Sequence, residues 1–219
     1  MDYEGLTRAI ETLDPLSPAQ QSQFRALEGL YNEWNAKINV ISRKDMDGLY
    51  LHHVLHSLCI AAFLKMERPQ VLERWQAGVS VLDLGTGGGF PGIPLAILFP
   101  RCRFTLCDSI GKKVKVATEV SSALGLDNVE TVNARAESLG REFDHVVSRA
   151  VTSLENFYPW VKGRYRGSIL YLKGGDVAEE TAALMASFKL PKGSVSTWKI
   201  AQWQENPWFE GKFVVEIGK

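Results

Sequence analysis

Beyond residue 78, short strand-like runs and helix-period segments take turns along the chain, and nothing else in the sequence constrains its fold as strongly. Val79 to Leu84 reads as a strand, Gly92 to Phe99 as a helix stopped by Pro100, Arg103 to Cys107 as a strand, and Lys112 to Leu124 as an amphipathic helix ended by Gly125. Strands follow at Val129 to Asn133, His145 to Ser148 and Ser168 to Leu172, with helices at Leu154 to Val161 and Val177 to Phe188. A strand that returns parallel to its predecessor needs a crossover long enough to hold a helix, so this rhythm predicts a parallel sheet covered on both faces. Two closing strands, about Val195 to Trp203 and Lys212 to Ile217, are joined only by Gln204 to Phe209. With no helix between them they are expected to pair antiparallel. The fold class is α/β: a Rossmann-like, mostly parallel seven-stranded sheet with an antiparallel terminal hairpin.

The pattern breaks near Arg68-Pro69 and Gly78, which divides a helical cap, residues 1–75, from the sheet core, residues 76–219. Ser17-Pro18-Ala19-Gln20 starts a helix: Ser17 caps free amides, Pro18 suits the first helical position, and Gln20 reaches back as a capping box. Phe24, Leu27, Tyr31, Trp34 and Ile38 then form one apolar stripe. A second helix is expected from about Asp45 to Leu64. Two or three helices alone would make a thin core, so the cap is expected to pack on the sheet.

Twenty-five basic residues balance 25 acidic ones, which excludes a protein that coats polyanions by bulk positive charge. With 45% hydrophobic and 23% charged residues the chain is a globular one and not a disordered one. Uninterrupted apolar runs such as Ile93 to Phe99 are far shorter than the roughly 20 residues that span a bilayer, and the first residues are acidic, so a cytoplasmic protein without membrane contact is expected. Cys59, Cys102 and Cys107 lack metal-ligand spacing and read as small core residues. No metal site is expected, and nothing demands a dimer, so a monomer is expected.

The strongest chemical signal is Asp83-Leu84-Gly85-Thr86-Gly87-Gly88-Gly89-Phe90-Pro91-Gly92, between the first strand and its helix. At the first crossover of such a sheet, glycines such as Gly85 and Gly87 let a nucleotide or nucleoside approach the backbone. Two flanking residues speak against a dinucleotide. Phe90 stands where its fingerprint has a third glycine, and Asp83 adds negative charge where a pyrophosphate would lie. A carboxylate there suits a ligand with a cationic end and no phosphate, such as S-adenosyl-L-methionine, although Asp83 could also simply cap loop amides. Asp108, at the end of the second strand, is placed to accept from ribose hydroxyls, or to cap the next helix. After the third strand, Ala136 and Glu137 are candidates to bracket an adenine edge.

The fourth strand ends Ser148-Arg149-Ala150-Val151, without the Asp/Asn-Pro-Pro-aromatic signature of exocyclic-amine methylation, and a Pro-Cys pair for attack at a pyrimidine carbon is absent as well. A ring nitrogen with a free lone pair, such as guanine N7, fits both gaps. Such an acceptor has no proton to remove, so no catalytic side chain is expected and the rate would come from alignment and water exclusion. Arg149 then holds the cofactor carboxylate or an RNA phosphate, or forms a structural ion pair.

At this point the sequence resembles the bacterial RsmG/GidB family. The similarity rests on Val81 to Pro94, Cys107 to Lys113, Arg135-Ala136-Glu137, Ser148-Arg149-Ala150 and Leu172-Lys173-Gly174, and it extends through Trp34-Asn35 and Ile38 to Ser42 into the cap. It implies a class I methyltransferase that uses S-adenosyl-L-methionine to methylate guanine N7 in 16S rRNA of the small ribosomal subunit. It also implies cofactor contacts at Gly85, Phe90, Ala136, Glu137 and Arg149. In the cap many relatives carry Arg-His and Asp-Ser where this chain has His52-His53 and His56-Ser57.

RNA contact is expected from Arg43, Lys44, Arg149 and Lys173 around the cofactor mouth, steering phosphates while a splayed-out base enters. The three cap histidines read as packing or hydrogen-bonding residues, and Trp34, Trp198, Trp203 and Trp208 mainly as core. The alternatives are a methyltransferase for a small metabolite, an NAD-dependent oxidoreductase, and a non-enzymatic RNA-binding module.

Overall fold

The computed structural model describes residues 1–218. Strands β1 (Ser80–Leu84), β2 (Arg103–Asp108), β3 (Val129–Asn133), β4 (Phe143–Arg149), β5 (Tyr165–Gly174), β6 (Val195–Lys199) and β7 (Lys212–Gly218) form one sheet in the order β3-β2-β1-β4-β5-β7-β6. β1 to β5 are parallel, and β7 runs antiparallel to both β5 and β6. The order reverses between β1 and β4, which opens a crevice above their carboxyl ends.

Eight α-helices flank the sheet: α1 (Tyr3–Glu11), α2 (Pro18–Lys37), α3 (His56–Glu67), α4 (Pro69–Ala77), α5 (Gly92–Leu98), α6 (Gly111–Ala123), α7 (Leu154–Val161) and α8 (Val177–Phe188). Each face of the sheet has its own apolar layer because strand side chains alternate. On one face Val81, Phe104, Leu106, Val147 and Leu170 pack with α1 to α6. On the other, Leu82, Val146, Ile169, Tyr171 and Val215 pack with α7 and α8. The N-terminal helices therefore share one core with the sheet. Cys59, Cys102 and Cys107 are buried and unpaired.

Several elements differ from expectation. The capping box of Ser17 and Gln20 forms, but α2 ends at Lys37 and Ile38 is extended, so the apolar stripe outruns its helix. The second cap helix is broken into three: a 3-10 segment at Arg43–Gly48, a π-helical turn at Leu49–Leu55, and α3. Nearly every residue from Leu49 to Leu64 is buried, so no single apolar face marks the path of the helix. The stretch Arg43–Glu67 is also apolar enough by length and composition to cross a bilayer, which uninterrupted runs did not reveal; 83% of its most apolar window is buried inside the protein. α1 and α4 are additional. Asp2 caps α1 by accepting from Gly5 N at 2.8 Å, and Pro69, read as a break, opens α4 instead. β6 stops at Lys199, short of Trp203, and turns into a 3-10 segment.

Candidate functional site

A cavity of about 560 Å³ lies at the crevice. Leu84 and Gly85 form its base; Asp108, Ser109 and Ile110 come from the end of β2, Ala134 to Glu137 from the end of β3, and Arg149 to Val151 from the end of β4. Lys113 and Trp160 complete the wall. Ile110 and Val151, 42% and 39% exposed, are two of the four exposed large apolar side chains among the described residues. Apolar surface left open beside a carboxylate suits a flat ring joined to a hydroxylated sugar.

The glycine loop is shaped by neighbours on both sides. Gly85 has φ +72°, and a Cβ there would come within 2.4 Å of Val151 Cγ2, so only glycine fits. Gly87 has φ +57° and donates from N to Asp108 Oδ2 at 3.0 Å. Asp108 Oδ1 accepts from Ile110 N at 2.9 Å, so one carboxylate ties the glycine loop to the start of α6. From the cap, Asn35 caps the turn after α2, accepting from Val40 N at 2.8 Å and Ile41 N at 2.9 Å. That turn sets the Val40 side chain against Gly88, where a Cβ would meet it at 2.8 Å.

Asp83 is fully buried on the cap face of β1, away from the cavity lining. Its Oδ2 accepts from Thr86 Oγ1 at 2.6 Å and from Gly92 N at 2.7 Å, while Oδ1 has no partner. Burial pushes its pKa up to about 7, against the lowering effect of those hydrogen bonds and of Arg149. Asp83, expected to pair with a ligand's cationic tail, here holds the loop and the first amide of α5 from behind. Phe90 is likewise off the lining, buried with its ring stacked on Tyr31 at 4.7 Å and 5.1 Å from the Arg149 guanidinium. Gly87 does not line the cavity either, although a Cβ on it would meet only open space. Gly85, Asp108, Ala136, Glu137 and Arg149 do line it.

Arg149 links cavity and cap. It donates from Nη1 to the His52 carbonyl at 3.2 Å and from Nη2 to His53 Nδ1 at 3.0 Å. Burial brings its pKa down to about 10 despite the nearby Asp83 charge. Burial and the Arg149 charge also lower His53 to about 4, so the ring is neutral, accepts at Nδ1 and donates from Nε2 to Asp45 Oδ2 at 2.7 Å. Asp45 Oδ1 pairs with His52 as well. These two histidine bonds outweigh the effect of burial and hold the Asp45 pKa low. Arg43 and Lys44, both exposed, immediately precede Asp45 in the sequence.

Lys173, expected to contact RNA, lies apart from Arg149. Arg149 pairs with Leu172 in the β4–β5 register, so Lys173, one residue on, points to the opposite face. It is 9% exposed and its Nζ bonds Thr152 O at 3.0 Å and Glu180 Oε1 at 2.8 Å. His56 is buried edge-on to Trp208, and His52 stacks on one face of Trp208 at 4.3 Å while Lys212 Nζ lies 4.0 Å from the ring centroid. With both His52 and Lys212 against it, Trp208 serves the cap–hairpin seam. Lys113, Ile110 and Trp160 were missed as lining residues. Lys113 and Ile110 were legible from their closeness to Asp108; Trp160 arrives only by tertiary packing.

The family of rRNA small subunit methyltransferase G matches residues 20–206. The small-subunit rRNA methyltransferase G of Porphyromonas gingivalis is 54% identical over 184 residues, 80% of this chain and 79% of that protein. Its counterpart in Flavobacterium psychrophilum is 47% identical over 210 residues, 92% of each. Among solved structures, magnesium protoporphyrin IX methyltransferase of Synechocystis has a TM-score of 0.59 at 12% identity, covering 94% of this chain and 99% of that one. Ribosomal protein L11 methylase of Lactobacillus delbrueckii has a TM-score of 0.54 at 14% identity, covering 75% of this chain and 77% of that one. The two structures share the class I methyltransferase fold, and the sequence match carries further: this chain belongs to the rRNA small subunit methyltransferase G family.

Proposed function

We infer that the cavity binds S-adenosyl-L-methionine and that the chain transfers its methyl group to N7 of a guanine in 16S rRNA, in the cytoplasm. The observation that carries the cofactor reading is the bond from Gly92 N to Asp83 Oδ2 at 2.7 Å. It fixes a carboxylate directly behind the glycine loop, and negative charge there disfavours a ligand with a pyrophosphate and suits a nucleoside without phosphate. The residues present fit one. Asp108 retains acceptor capacity for ribose hydroxyls, Ile110 and Ala136 offer apolar surface, and Glu137 stands at the same end.

When bound, the cofactor supplies an electrophilic methyl group on a sulfonium. The protein's part is alignment: Gly85 clears space for the ligand's close approach, and Arg149 presents a guanidinium at the cavity for a carboxylate or a phosphate. Arg149 is fixed there by His52 and His53, and Arg43 and Lys44 beside Asp45 steer the RNA backbone. We assign RNA guidance to the cap, residues 1–75, and cofactor binding to the core, residues 76–219. Guanine N7 needs no base to deprotonate it, in keeping with the absence of an amine-orienting signature after β4.

The test uses purified chain, labelled cofactor, and small subunits or naked 16S rRNA lacking the modification, followed by strand cleavage at 7-methylguanine. Label at one N7 is the expected result. Label on an exocyclic amine or a ribose oxygen overturns the ring-nitrogen assignment, and label only in a small metabolite overturns the RNA reading.

A further inference from the structure

The loop after β4, residues 150–153, has no regular secondary structure, yet Ala150 and Val151 form part of the cavity wall. A loop at a surface ordinarily bonds water. Here side chains from β5 and α8 take that place. The Tyr171 hydroxyl accepts from Val151 N at 2.8 Å and from Thr152 N at 3.1 Å, and it donates to Thr152 O at 3.0 Å. Lys173 Nζ donates to the same carbonyl at 3.0 Å and pairs with Glu180 Oε1 at 2.8 Å. Glu180 Oε2 accepts from Leu154 N, the first residue of α7, at 3.0 Å. Tyr171 is fully buried and Lys173 nearly so.

Two further observations show how closely the loop is held. Ala150 has φ +48°, a left-handed conformation that disfavours a residue with a Cβ. It persists because Ala150 N is tied to Leu172 O at 3.1 Å on one side and the Tyr171 clamp holds the next two amides on the other. Val151 then rests on Gly85 with no room for even one added carbon. The distance between this loop and the glycine loop is thus set by β5 and α8.

We propose that Tyr171, Lys173 and Glu180 are positioning residues for methyl transfer, holding residues 150–153 as a rigid wall against which the acceptor base is aligned over the cofactor. The inference rests on the reading of the cavity given above. When no proton is moved, alignment carries the rate, so a displaced wall lowers kcat more than it lowers ligand affinity.

Tyr171→Phe keeps the ring and removes every loop bond the hydroxyl makes. Its kcat, per site titrated with adenosylhomocysteine, is expected to fall about tenfold to a hundredfold, while KM for small-subunit RNA and the adenosylhomocysteine Kd stay within about threefold. Hydrogen exchange at Val151 and Thr152 amides should quicken. Lys173→Met should show the same split, which covers a Tyr171 variant that does not fold, and Lys173→Arg should recover most of the rate. An unchanged kcat per titrated site overturns the inference, because the clamp then serves folding alone. A Kd that rises as far as kcat falls also overturns it, because the loop then shapes only the cofactor pocket. A wild-type chain that labels no RNA overturns the reading of the cavity together with this inference, whereas an active wild type beside a fully active Tyr171→Phe overturns this inference alone.

Discussion

The Tyr31 hydroxyl, on the second helix of the cap, donates to the Gly88 carbonyl of the glycine loop at 2.8 Å, and the Tyr31 ring stacks on Phe90 two residues further on. Both residues are buried, so Tyr31→Phe strands a carbonyl that water cannot reach. The expected outcome is a loss of about 1–3 kcal/mol in unfolding free energy by urea titration. Adenosylhomocysteine affinity, measured by calorimetry, should weaken several-fold because the loop relaxes. An unchanged denaturation midpoint would count against this link.

Asp83 shifts stability in an unusual direction. Its folded pKa of about 7 lies above the ordinary 3.8, so between those values the native state holds a proton that the unfolded chain has released. Its contribution is full at low pH and is lost as pH rises through about 7. Asp83→Asn keeps an oxygen for Thr86 and Gly92 without the charge. Relative to wild type, that variant should be more stable at pH 7.5 than at pH 5, and a pH-independent difference in urea midpoints would refute the assignment.

His53 acts in the opposite sense. Its folded pKa of about 4 is below the ordinary 6.5, so the unfolded chain binds the extra proton, and the stability His53 contributes above pH 6.5 is lost as pH falls toward 4. His53→Gln can still accept from Arg149 and donate to Asp45 without titrating. Its acid limb between pH 6.5 and 4 should be shallower than that of wild type; an identical limb would show that His56 or other groups dominate.

Arg43 and Lys44 are exposed and next to the Asp45 anchor. If each neutralises one phosphate, replacing both with alanine should reduce the slope of log affinity against log salt by about 1.4 to 1.8. Filter binding of 16S rRNA across a salt series measures it. Equal slopes for variant and wild type would place the RNA backbone elsewhere.

What could be read without coordinates follows from period and position. Strand ends are legible, so Gly85, Asp108, Ala136, Glu137 and Arg149 could be placed together, because residues at the carboxyl ends of adjacent parallel strands converge. Which face a side chain takes was harder to read. Asp83 turned to the cap face, and Lys173 fell one residue out of step with Arg149. The cap was least legible. Leu49 to Leu64 is buried nearly all round, so its π-helical turn left no periodic trace, and Asp45 meets His52 and His53 across the junction of the 3-10 and π-helical segments.

The position of β7 has a consequence for biosynthesis. Residues 212–218 slot between β5 and β6, so a nascent chain that has emerged only as far as residue 211 presents two unsatisfied ladders, one along β5 and one along β6. The strand that carries Tyr171 and Lys173 is one of them. Ribosome-bound intermediates of this protein should accordingly be sticky until the final hairpin arrives, and folding helpers would act most usefully in that interval.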